Sequence, residues 1–399
     1  MTNGNAPKSC RREFLRWLAL APGAAALTVP AAPPEPQRRE LFRSGSDGYH
    51  TYRIPALLVS RSGTILTFCE GRKDGRGDSG AIDLLLKRSE DGGATWSDQQ
   101  VVWSDEANTC GNPCPVVDQR TGRILLLGTW NHGQDEGESL HHGTAKDTRR
   151  VFLLTSDNDG ASWSPPLEIT AEAKAADWWW YATGPGVAIQ LGQGARRGRI
   201  VVPANHSSAA NGFAAHAIYS DDAGKTWHRS NAIAPACNES QVVELADGRL
   251  MMNMRSQSFT NEERTGYRSI SFSRDGGESW SAPEFDRHLG DPQVQASLIR
   301  YSLAGSEDRN RVLFSNPGPP ISAGRAERVR MTVRLSYDEG RSWPVSKLIH
   351  AGPAAYSCLT RMPDGSIGLL YESGTESAYE SLQLVTFSLN WLTDAAEIA

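Results

Sequence analysis

A chain of 399 residues with 39% hydrophobic side chains has the material for a sizeable core, which excludes intrinsic disorder. Its 41 Lys and Arg against 46 Asp and Glu give a net charge of −5. Without a basic excess, a nucleic-acid partner held by phosphate neutralisation is not expected. The 38 glycines and 12 tryptophans suit turn-rich β-structure.

The first 32 residues read as an export segment. Arg11 and Arg12 precede an apolar run from Trp17 to about Ala32, ending in small residues. Twin arginines in that setting mark a Tat-type signal, so the mature protein is expected in the periplasm or outside the cell. Pro22 and Pro30 break the run, which is too short for a membrane span. Removing the segment leaves 37 basic against 45 acidic side chains, a net −8. It also removes Cys10 and leaves Cys69, Cys110, Cys114, Cys237 and Cys358. Five is an odd number, so no complete disulfide framework exists, and one C-x3-C spacing is a weak metal signal. Buried free thiols are the expectation.

Internal repeats decide the architecture. Ser89–Trp96 has the form S-x-D-x-G-x-T/S-W, which returns at 156–163 (with Asn158 for Asp), 220–227, 273–280 and 336–343. Successive Trp residues are 67, 64, 53 and 63 apart. Each copy follows a short β-like run, such as 82–86, 151–155 or 269–272. Asp and Gly fit a tight turn, and the Trp is an apolar plug that locks it down. A second, fainter repeat opens apolar strands at Gly63-Thr64-Ile65, Gly122-Arg123-Ile124, Gly198-Arg199-Ile200, Gly248-Arg249-Leu250 and Gly365-Ser366-Ile367. Asn310-Arg311-Val312 fills the gap in that series. Six hairpin signals, each with room for four short strands, predict an all-β, six-bladed β-propeller over residues 33–399, the last blade without a box. An array of separate domains is the weaker alternative, because sixty residues of sheet bury little core alone. Only 169–178 looks locally helical, and 131–147 reads as a long polar loop containing His141 and His142.

The repeats resemble the Asp-boxes of sialidases, and Tyr52-Arg53-Ile54-Pro55 resembles the Arg-Ile-Pro motif that opens their catalytic domain. The resemblance runs from about Glu40 to the C-terminus and matches the bacterial exo-α-sialidases of glycoside hydrolase family 33. It implies a site for a sugar that carries a carboxylate on its anomeric carbon, gripped by three guanidinium forks. Arg53, Arg255 and Arg328 match those three arginines; Arg330 stands where the family has Asn, and on a strand it would share a face with Arg328. A carboxylate nucleophile would be repelled by the substrate's own charge, whereas sialidases use Tyr. Tyr356 matches that nucleophile and Glu239 its base. Asp78, in a polar, glycine-rich loop, matches the acid/base, with Asp74 and Asp83 as rivals. Arg72 resembles an arginine that contacts a sugar hydroxyl, Glu372 the acid that orients Arg53, and Gln295 is a further candidate substrate contact. Trp178-Trp179-Trp180-Tyr181 is either an aglycone platform or packing.

The resemblance implies a retaining exo-α-sialidase acting on sialylated glycans, glycoproteins and glycolipids. No metal or organic cofactor, no nucleic acid and no membrane span is implied, and the protein is expected to be a monomer. A trans-sialidase, an enzyme for another nonulosonic acid and a non-catalytic sialoglycan-binding propeller are the competing readings.

Overall fold

The computed structural model describes residue 1 and residues 34–257, 266–318 and 327–395. The twin-arginine segment therefore lies outside the described residues. Among those described, no helix is long and apolar enough to cross a membrane.

Among the described residues the sequence pattern becomes six antiparallel sheets, each built on four strands, the third with a further short strand, Ile189–Gln190, paired to Ile200–Ser208. The first five span 51–103, 109–168, 178–229, 237–290 and 297–350. The sixth begins in the second half of the long strand Val345–Arg361 and continues through Ile367–Ser373 and Ser381–Phe387. Its outer strand is Gln37–Arg43, so the two ends of the chain are hydrogen-bonded into one sheet. Each Gly-x-Ile type signal opens the second strand of its sheet. Ile65, Ile124, Ile200, Leu250 and Ile367 all begin strands, preceded by glycines with φ between 81° and 95°. Arg311 begins the equivalent strand without a glycine.

Six apolar clusters lie between successive sheets. Leu66, Phe68 and Leu86 of the first meet Ile124, Leu126 and Leu154 of the second. The second meets the third, the third the fourth, the fourth the fifth and the fifth the sixth in the same way. Leu370, Leu382 and Leu384 of the sixth then meet Leu57, Ile65 and Leu85 of the first. Each sheet thus buries both faces and the ring is closed. That is why strands such as Ile65–Arg72 are buried throughout, while the outer strands of the second and third sheets, Leu167–Glu168 and His228–Arg229, are exposed.

The boxes cap this packing. In each, the Ser hydroxyl donates to the Asp (or Asn158) and accepts from the Gly N–H, at 2.8–3.0 Å. The Asp then accepts from the backbone N–H of the Thr or Ser that follows. The box glycine has φ between 79° and 95°. In four copies it also presses on the preceding sheet. A Cβ on Gly160 would lie 2.5 Å from Leu66, and one on Gly224 would lie 2.4 Å from Leu125. The glycine is needed twice over, for its backbone angle and for its closeness to the neighbour.

Among the described residues helices are few: Gly137–His142, Thr170–Ala173 and Leu389–Leu392. The expected polar loop at 131–147 thus holds a short helix, and the helical stretch at 169–178 shrinks to one turn. All five described cysteines are buried and free.

The third sheet contains a buried pair, His206 and His216, with their Nδ1 atoms 3.0 Å apart and Trp178 stacked on His206 at 3.5 Å. Burial depresses both pKa values, with the nearby cations Lys174 and Arg229 adding to it; His206 falls to about 3. Below pH 6.5 the unfolded chain takes up protons that the folded pair does not, so this contribution to stability is lost as pH falls from 6.5 towards 3. Each such histidine contributes a slope of about 1.4 kcal/mol per pH unit. A series of denaturant titrations from pH 7 to 4 should show a shallower decline for His206→Gln than for the parent; equal slopes would contradict this reading of the pair.

Candidate active site

The site forms where the innermost strands begin. In five of the six sheets the register of the innermost strand slips there, between Arg53 and Ala56, Gly111 and Cys114, Trp178 and Tyr181, Cys237 and Ser240, and Ala354 and Ser357. A bulge re-aims the side chains beside it. Ile54 and Asn112 take φ of 61° and 54° in these bulges, and a β-branched residue with positive φ is costly. The strain is held by hydrogen bonds from the same site.

Glu372 supplies the first. It is fully buried, and its Oε1 accepts from Arg53 Nε at 3.1 Å and Ile54 N at 2.9 Å. Its Oε2 accepts from Tyr356 N at 3.1 Å and Arg53 Nη2 at 3.4 Å. It has no surface for substrate, so the expected orienting role fits its geometry and a direct substrate contact does not. Arg53 lies 5.0 Å from the Tyr356 ring and 4.4 Å from the Tyr379 ring, and Arg328 donates to the Tyr379 hydroxyl at 3.0 Å. The Arg328 guanidinium carbon is 5.9 Å from the Tyr356 ring, and the group also donates to the Gln293 carbonyl.

Arg330 is elsewhere. Its φ of 66° and the register shift around it break the strand's alternation, so it is exposed while Arg328 is half-buried. The two do not share a face.

The Tyr356 hydroxyl donates a hydrogen bond to Glu239 Oε1. Arg255 Nη1 donates to Glu239 Oε2 at 2.9 Å and lies 3.4 Å from the Tyr356 oxygen. Burial, then the Glu239 charge, push the phenol's pKa well above its usual value, against the pull of Arg255, Arg328 and Arg53. Tyr356 is therefore neutral at rest, with its base already in contact.

Asp78 sits on the loop after Ile65–Arg72, its side chain 62% exposed. Arg72 Nη1 donates to its Oδ1 at 2.8 Å and Arg53 Nη1 lies 3.5 Å away. Desolvation would raise its pKa, but Arg72 and then Arg53 outweigh that and hold it at about 2. Arg72 also donates to the carbonyls of Arg76 and Gly77 and pairs with Glu70 at 2.6 Å, so it shapes the loop that carries Asp78. The rivals differ: Asp83 is buried under Tyr49 and Lys73, and Asp74, exposed like Asp78, is not among the partners of Arg53 or Arg72.

Gln295 requires a correction. It is 1% exposed, and its amide donates to the carbonyls of Pro185 and Ser357 and accepts from Ser357 N. Its donors and acceptor are spent on the backbone behind Tyr356, so it does not face the site. The Trp cluster is also divided. Trp178 packs on His206, whereas the Trp180 ring is covered by Arg149 at 3.9 Å and His141 at 4.4 Å.

Sequence reasoning missed Tyr379, Glu70, Asn112 and Arg149. Glu70 had a signal, since it lies two residues before Arg72 and shares its face of the strand. Tyr379 meets Arg53 and Arg328 from other sheets, and Arg149 meets Asn112 within its own sheet and Trp180 from the next.

A BNR repeat-like domain model matches residues 63–369. The chain is 36% identical to a sialidase of Micromonospora viridifaciens over 96% of its own length, and spans 60% of that relative. It is 32% identical to an exo-alpha-sialidase of Aspergillus fumigatus, with 86% of each chain covered. Among solved structures, the Hadza microbial sialidase Hz136 superposes with a TM-score of 0.76 at 28% identity, covering 89% of this chain and 69% of that one.

Replacing Glu372 by Ala leaves the Arg53 charge and two backbone N–H groups without their acceptor. The cost in unfolding free energy should be about 3–5 kcal/mol, read by denaturant titration. A loss under about 1 kcal/mol would mean that Glu372 does not hold the site together.

Proposed function

The chain belongs to the sialidase family with BNR repeats, and from that premise we propose that it is an exo-α-sialidase that works by a retaining mechanism with Tyr356 as nucleophile. One observation carries the reading: a neutral, buried phenol is hydrogen-bonded to Glu239, with Arg255 donating to that same carboxylate and close to the phenol oxygen. A protein that only bound sialoglycans would gain nothing from a phenol paired with a base.

Arg53, Arg255 and Arg328 surround the Tyr356 ring and offer N–H groups to an anomeric carboxylate. Arrival of that anion changes Asp78. The carboxylate competes for Arg53 and adds a like charge, and both effects raise the pKa of Asp78 from about 2 towards the range of a useful acid. Asp78 then protonates the leaving oxygen as the anomeric C–O bond breaks. The Tyr356 oxygen bonds to the anomeric carbon and its proton passes to Glu239. Arg255 offsets the charge that develops on the phenol oxygen. In the second half, Asp78 takes a proton from water, the hydroxide displaces Tyr356, and Glu239 returns the phenol's proton. Two inversions give net retention.

Proton NMR of the reaction with an α-ketoside of N-acetylneuraminic acid should show the α-anomer first, before mutarotation. Tyr356→Phe should lower kcat by at least about 10³-fold while ligand binding survives. Release of the β-anomer first, or near-normal turnover by the variant, would refute the mechanism.

A further inference from the structure

Tyr379 has no part in the mechanism above, yet it lies against two of the three arginines. Its hydroxyl oxygen accepts from Arg328 Nη1 at 3.0 Å, and its ring lies 4.4 Å from the Arg53 guanidinium carbon. The three residues come from three sheets. Arg53 is in Thr51–Val59 of the first, Arg328 stands just before Val329–Ser336 of the fifth, and Tyr379 lies in the loop before Ser381–Phe387 of the sixth.

The loop that carries Tyr379 is built as a rigid mount. The Glu380 carboxylate accepts from the backbone N–H groups of Thr375, Glu376 and Ser377 at 2.7–3.0 Å. Ser44 Oγ donates to the Tyr379 carbonyl at 2.8 Å, and Ser44 N donates to the Glu380 carbonyl at 2.9 Å. At Gly374 the turn is too tight for a side chain, because a Cβ there would lie 2.1 Å from the Ser377 carbonyl oxygen. The backbone on either side of the phenol is thus tied down, so little ordering is left for the moment a ligand arrives.

The three arginines are oriented in different ways. Glu372 pairs with Arg53 and Glu239 with Arg255. Among the described residues Arg328 meets no carboxylate; it is held by the Tyr379 hydroxyl and, at 2.6 Å, by the Gln293 carbonyl. A carboxylate partner would orient this fork but offset its charge. A phenol oxygen orients it and leaves the charge for an incoming anion. On Arg53 the Tyr379 ring covers a face, so it does not compete for the N–H groups, which point outwards from the edge.

We propose that Tyr379 is a positioning residue for the carboxylate grip. Its hydroxyl sets Arg328, its ring sets Arg53, and both forks are in place before the anion binds. This rests on the sialidase reading. Without Tyr379 the two long side chains must be ordered by the substrate itself, and that cost falls on the part of the affinity that comes from the carboxylate.

The test measures, by NMR titration, the affinity for 2-deoxy-2,3-didehydro-N-acetylneuraminic acid and for its C1 carboxamide, which keeps the ring and loses the negative charge. The parent, Tyr379→Phe and Tyr379→Leu are compared, each with a melting curve. The acid-to-amide affinity ratio should fall about tenfold in Tyr379→Leu, which loses the ring and the hydroxyl. It should fall about threefold in Tyr379→Phe, which keeps the ring on Arg53 and decides the matter if the Leu variant does not fold. A merely structural role would weaken both ligands together, and a ratio within about twofold of the parent in the folded variants would overturn the proposal. A parent that binds neither ligand, or binds both alike, would instead overturn the sialidase reading.

Discussion

A single buried carboxylate connects ring closure to the site. Glu372 belongs to the sixth sheet, and Arg53 and Ile54 belong to the first. Its two oxygens accept from Arg53, Ile54 and Tyr356, so one side chain fixes the first arginine, the strained bulge beside it and the backbone of the phenol. A buried charge is tolerable only when it is paired and its remaining lone pairs are used. Glu372 meets both conditions only when the first and sixth sheets stand together. The strand Gln37–Arg43 and the apolar cluster between these sheets hold them there.

The site is a balance of charges in which each acid has a guanidinium partner. Glu372 pairs with Arg53, Glu239 with Arg255, and Glu70 and Asp78 with Arg72. Arg328 pairs with no carboxylate among the described residues; its partners are a phenol and a carbonyl. Against Tyr356 itself, three arginines (Arg53, Arg255 and Arg328) face two carboxylates (Glu239 and Glu372), a local excess of one positive charge that suits an anionic substrate.

Much of the fold was legible because its signals are local. An Asp-box makes its Ser, Asp, Gly and Thr bonds within a few residues, so the turn can be read from the sequence. The Gly-x-Ile signals were legible for the same reason. Long-range pairing was not: nothing near Gln37–Arg43 says that it completes the last sheet. In the site, Arg53, Arg255, Glu239 and Tyr356 were nameable by family resemblance, and the structure brings them together. Gln295 was misread because a polar residue beside a site can turn inward to backbone acceptors, and Arg330 because a bulge cancels the alternation assumed for a strand. Tyr379 and Arg149 had no readable signal, since their partners are distant in sequence: Arg53 and Arg328 for Tyr379, Asn112 and Trp180 for Arg149.

The central claim is that the sugar is carried by Tyr356. The direct measurement is to trap that state with a sialosyl fluoride bearing fluorine at C3, which slows the second half of the reaction, and to map the labelled peptide by mass spectrometry. One added sugar on the peptide containing Tyr356, absent from Glu239→Gln treated alike, is the expected result. Steady turnover of the probe with no label, or a label on Asp78 or Glu239, would contradict the account.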